Sequence, residues 1–149
     1  MELDVPPQVP ERWYRWLVAV AGGVAAFGLA LVVAPSLARQ GFSLLVYGSA
    51  DRIGGYGDAA ADYIELVHAV LGAVMVGWGV ALLLIVRGPL RRDLREGWTI
   101  VAVSVLAWFV PDTSFSLISG FWQNAVLNLV FAILFAIPLA ATWRLAFQR

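Results

Sequence analysis

The chain has no cysteine, a single histidine and, among its ten basic residues, no lysine. Without cysteine it can form no disulfide, no thiolate metal site and no membrane-embedded thiol chemistry. One imidazole cannot supply bis-histidine haem ligation. A di-iron carboxylate centre takes two Glu-x-x-His pairs, so here it could arise only across a dimer. Charge is scarce too: charged residues make up 13% of the chain and the formal net charge is +0. A nucleic-acid binder needs a basic surface to neutralise phosphates, and that class is set aside. What fills the sequence instead is apolar, with 61% hydrophobic residues in 149, where soluble domains run near half. One soluble core could not hide so much apolar surface.

A membrane-spanning helix needs about 20 predominantly apolar residues. Four windows qualify, at about 13–38, 62–86, 98–119 and 121–143. The expected fold is therefore all-α, a single membrane domain over 1–149 built as a transmembrane bundle of four helices. Only Gly120 separates the last two spans, which predicts a tight antiparallel hairpin. The long connection, 39–61, contains "GFSLLVYG", apolar enough to rest on a membrane surface, and a glycine-rich "GGYG". That glycine run follows no strand and lacks the lysine of a phosphate loop, so it reads as a turn.

Cytoplasmic loops and ends are enriched in arginine. Arg12, Arg15, Arg87, Arg91, Arg92, Arg95, Arg144 and Arg149 collect on one side, and only Arg39 and Arg52 on the other. Both termini and the 87–97 loop are accordingly expected in the cytoplasm, with loop 39–61 external. Trp13, Trp16, Trp98 and Trp143 form the inner aromatic belt of this arrangement, with Tyr47, Tyr56, Tyr63 and Trp122 forming the outer one. A competing reading takes the first apolar stretch and "SLA" as a cleaved signal peptide. Against it stand the length of that stretch and the acids Glu2, Asp4 and Glu11 ahead of it.

Polar residues inside the spans carry the functional interest. At a rise of about 1.5 Å per residue, His68 lies about 9 Å below Asp62, and Asp112 and Asn128 each lie about 12 Å from Gly120. Glu65, Ser116 and Asn124 form a shallower layer. Helical periodicity puts Glu65 and His68 on one face with Gly72, Met75 and Gly79. Asp112 and Ser116 share a face with Trp108, and Asn124 and Asn128 share one with Phe131 and Phe135. Ionisable groups within a span face the bundle interior or a wet cavity, so these three stripes are expected to face one another. Pro111 predicts either a kink or a break in the third span, Asp112 capping a short outer half-helix in the second case.

Glu65, His68, Asp112, Ser116, Asn124 and Asn128 are the candidate pocket, for a small-molecule ligand or a proton. Interhelical hydrogen bonding that only specifies packing is the alternative. A small enzyme is a third possibility, using Glu65, Asp112 and His68 as acid and base or as ligands to one metal. No serine elbow, zinc helix or nucleotide loop accompanies them, and no cofactor is expected. The lipid bilayer is the expected environment. The small residues of "AVAGGVAAFG" suit either a homo-oligomer or partner membrane protein, or packing within the bundle. The run "VLGAVMVGWGVALLL", with "WFVPDTSFSL" and "FWQNAVLNLVF" after it, resembles small bacterial four-span integral inner-membrane proteins. That resemblance implies placement, not activity.

Overall fold

The computed structural model describes residues 8–148, so Glu2, Asp4 and Arg149 lie outside the described residues. Within that range the fold is all-helical. It runs α1 (Glu11–Val33), α2 (Pro35–Tyr47), a single 3-10 turn (Gly54–Tyr56), α3 (Asp58–Arg87), α4 (Pro89–Arg92), α5 (Leu94–Ile118) and α6 (Trp122–Phe147). The helices α1, α3, α5 and α6 are long and apolar enough to cross a membrane. Their outward surface is that of a lipid-facing bundle: Val74, Leu84, Val103, Leu106, Val130 and Ile133 are all exposed. Around a soluble protein such a continuous apolar belt would drive association.

Local chemistry sets the helix ends. Asp93 caps α5, its Oδ1 accepting from the Glu96 amide at 3.0 Å, with Glu96 in the capping-box position. Gly120 adopts φ 80° between α5 and α6, a left-handed conformation that glycine enters without a Cβ penalty. The hairpin is closed by the Phe121 amide donating to the Ser116 carbonyl at 2.7 Å. The glycine-rich segment after α2 forms the 3-10 turn, as its composition predicts.

Two of the expected boundaries change. The first span ends at Val33 rather than Ala38, because Ala34 leaves the helical region (φ −133°, ψ 60°) and Pro35 starts a new helix. The stretch read as a surface-resting loop is largely this second helix. The third span, in contrast, passes through Pro111 as one continuous helix. Asp112 therefore caps no half-helix.

The bundle is built from two helix pairs. The α1–α3 pair makes the most extensive contact and the α5–α6 hairpin the next. Gly28 and Gly72 let the first pair close: a Cβ on Gly28 would stand 2.6 Å from the Gly72 carbonyl and 2.7 Å from the Met75 Cβ. Further along, a Cβ on Gly79 would meet the Ala25 amide at 2.6 Å. The glycine stripe of α3 thus faces α1 and not the polar stripes of α5 and α6, which corrects the expected arrangement. Part of the small-residue face of α1 is used in the same contact, while a Cβ on Gly23 would meet nothing within 4 Å.

Between the pairs, packing is uneven along the bundle. Leu17, Ala21, Val24, Leu82, Val86, Leu90, Leu94, Val101, Phe135 and Leu139 form a close core at the arginine-bearing end. Indole N–H groups add hydrogen bonds around it, two between the pairs and one within the α5–α6 hairpin. Trp16 donates to the Leu134 carbonyl at 2.8 Å, Trp78 to Ser104 Oγ at 2.7 Å and Trp98 to the Leu139 carbonyl at 2.8 Å. Toward the other end the two pairs line a partly open cavity, to which α2 contributes Phe42.

Candidate functional site

The cavity has a volume of about 570 Å³. Its walls are apolar and aromatic, from Phe27, Phe42, Trp78, Trp108, Phe131 and Phe135 together with Val24, Leu71 and Met75. Its polar groups are confined to Asp112, Asn124 and Asn128. A smaller pocket of about 290 Å³ shares Phe42, Asp112 and Asn124 with it and adds His68, Ser116 and Tyr47. An apolar recess with a few convergent polar groups is the usual form of a small-molecule site.

The α5–α6 hairpin holds the polar end in place. Asn124 Nδ2 donates to Asp112 Oδ1 at 3.0 Å and to Ser116 Oγ at 2.8 Å. Ser116 Oγ donates back to the Asp112 carbonyl at 2.8 Å, with Asp112 Oδ1 3.3 Å away. One turn deeper, Asn128 Nδ2 donates to Thr113 Oγ1 at 3.3 Å. Counting equal distances from Gly120 pairs Ser116 with Asn124, which do bond, but Asn124 also reaches Asp112 one turn deeper and Asn128 bonds Thr113 rather than Asp112. Thr113 is the partner that periodicity missed, since it lies one residue off the Asp112 stripe.

His68 and Glu65 are placed differently. His68 Nδ1 donates to the Ile64 carbonyl of its own helix at 2.7 Å, and its ring packs on Phe42 with centroids 5.1 Å apart. A carbonyl only accepts, so Nδ1 carries a proton in this contact. His68 reaches the smaller pocket with Asp112 but is not hydrogen-bonded to it. Glu65 turns away from the layer: its Oε1 accepts from Arg39 Nε at 3.0 Å, both side chains being largely buried. The pair ties α2 to α3. Among the described residues no group of three His, Asp or Glu side chains is placed to hold a metal. Glu65, His68 and Asp112 are thus not assembled as one ligand set.

The docking of α2 rests on further bonds. Gln123 Nε2 at the start of α6 donates to the Val46 carbonyl at 3.2 Å. Ser43, fully buried, donates to the Ser49 carbonyl at 2.6 Å and accepts from the Ile53 amide at 3.3 Å. Phe42, on the same helix, lines both pockets and a third, wholly apolar groove along α1. At the end of α2, outside the spans, the Tyr47 phenol is held above its ordinary value by a hydrogen bond with Tyr56, and further by desolvation.

Fold and site together define an all-helical bundle, with four helices long and apolar enough to cross a membrane, around an aromatic cavity that is polar at one end. No family model matches the chain, and no curated protein or solved structure matches it.

Proposed function

We propose that this is a multi-pass protein of a bacterial inner membrane, with both ends cytoplasmic, that binds a small molecule in the cavity between its two helix pairs. The observation that carries the reading is the cavity itself: about 570 Å³ of apolar space whose polar groups gather at one end. A bundle built only for packing would close that space, since interiors are close-packed and voids forfeit contacts. The cytoplasmic placement of the ends rests on the arginine distribution.

A second reading has its own support. The Asn124 amide nitrogen donates to two groups on α5, so the polar layer also clamps the hairpin. Thermal unfolding in maltoside detergent separates the two. With 1-decanol as a neutral probe, the cavity reading expects a Tm rise of a few degrees in the wild type, as binding to the folded state stabilises it by mass action. Leu127→Trp, which puts an indole against the cavity, is expected to abolish that rise. Equal responses of the two proteins leave the clamp as the role of the layer.

A further inference from the structure

The acceptors left open at the polar end of the cavity define the kind of molecule it takes. Several of the donors there are already used within the protein. The Asn124 amide nitrogen donates to Asp112 and Ser116, the Ser116 hydroxyl goes to Asp112, and in the adjoining smaller pocket the His68 Nδ1–H goes to Ile64. Asn128 commits one N–H to Thr113. Acceptors remain: among the described residues Asp112 Oδ2 and the side-chain oxygens of Asn124 and Asn128 receive no hydrogen bond. None of them is fully buried, for the orphaned buried side-chain atom among the described residues is Gln123 Oε1.

Charge points the same way. Asp112 is the one side chain among the cavity-lining residues that carries a formal charge. Arg39, on the helix that contributes Phe42 to the lining, is bonded to Glu65 and does not itself line the cavity. An anionic head would meet a carboxylate and unfilled acceptors, with no cation to balance it. An ammonium head supplies the missing donors and the missing positive charge together. The flanking rings of Phe42, Trp78, Trp108 and Phe131 favour a cation a second time, through their π faces, and accommodate an apolar body.

We infer that the cavity takes an apolar molecule with an ammonium head, bound through Asp112. The inference rests on the cavity being a binding site and adds the class of ligand. It is tested with three probes of one chain length, decylammonium, 1-decanol and decanoate, titrated against the purified full-length protein in maltoside micelles. Quenching of tryptophan fluorescence and thermal shift give the readouts. On the wild type, decylammonium is expected to bind roughly tenfold or more tighter than decanol, a charge-assisted contact exceeding a neutral one by at least about 1.4 kcal/mol, and decanoate weakest. Asp112→Asn keeps an oxygen that can accept from Asn124 and is expected to bring the amine down to the level of decanol. The head-group order is read on the wild type, so it holds whether or not the variant folds. Decanoate binding as well as the amine, or an amine preference that survives Asp112→Asn, overturns the ammonium assignment. If decanol acts through the cavity and the amine shows no advantage, the binding site stands and the ligand class falls. Should none of the three act through it, both fall.

Discussion

At the scale of single residues, the pairing of Trp16 with Leu134 shows how an apolar bundle satisfies a proline. Pro138 sits inside α6 and has no N–H to return to the carbonyl four residues earlier, which is that of Leu134. The freed carbonyl would be left in apolar surroundings. The Trp16 indole, from α1, donates to it at 2.8 Å. Trp16→Phe keeps an aromatic ring and removes the donor, and is expected to lower stability by roughly 1–2 kcal/mol. Pro138→Ala restores the backbone donor, so the same substitution in that background is expected to lose clearly less. A double-mutant cycle measured by unfolding in detergent checks this, and additive losses would remove the link between the two residues. The sequence pointed to Trp16 only as a belt residue. Its partner becomes visible once a proline four residues beyond a helical carbonyl is treated as a request for a donor from elsewhere.

At the scale of elements, three prolines behave in two ways, and depth accounts for the difference. Breaking a helix strands backbone N–H and C=O groups, which costs several kcal/mol each in hydrocarbon and little where water reaches them. By Pro35 the helix α1 has run 23 residues, about 35 Å and enough to cross the apolar layer. Pro111 and Pro138 lie well inside α5 and α6, which stay continuous through them. The break at Pro35 frees α2 to bring Phe42 to the cavity, held by the Arg39–Glu65 pair. Arg39→Ala is expected to loosen that hold, and amide exchange along 35–47 to quicken by roughly tenfold, the low end for a charge-assisted bond that retains some water contact. Exchange in α1 and α3 is expected to stay as it was, and unchanged exchange in α2 would dismiss the tether. The spans themselves were legible because apolar runs of spanning length admit few alternatives. So was the Ser116–Asn124 pair, because a turn at Gly120 sets them at equal depth, whereas Asp112 joins them from one turn deeper. Periodicity assigns a residue to a face without naming what the face meets, however. For that reason the glycines of α3 went to the wrong neighbour, and Glu65 was placed in the polar layer when Arg39 claims it.

At the scale of the whole molecule, four crossings put both described ends on one side of any membrane the bundle occupies. They also put α2, the α5–α6 turn and the polar end of the cavity on the opposite side. The described arginines divide accordingly, with Arg12, Arg15, Arg87, Arg91, Arg92, Arg95 and Arg144 at the end opposite α2. Several of them rest on aromatic rings, Arg91 over Tyr14 at 4.5 Å and Arg95 over Phe147 at 5.4 Å. This is the geometry of cations held at a headgroup boundary beside an aromatic belt. The chain's lack of cysteine makes the threading measurable, since any engineered thiol is the sole site for a maleimide. Asp51 lies in the connection after α2 and Asp93 between α4 and α5, both exposed. A membrane-impermeant maleimide applied to intact cells is expected to label Asp51→Cys, and to label Asp93→Cys only after permeabilisation. The opposite pattern would turn the polar end of the cavity toward the cytoplasm. A ligand would then enter from inside the cell, and the arginine asymmetry would need an origin other than topology.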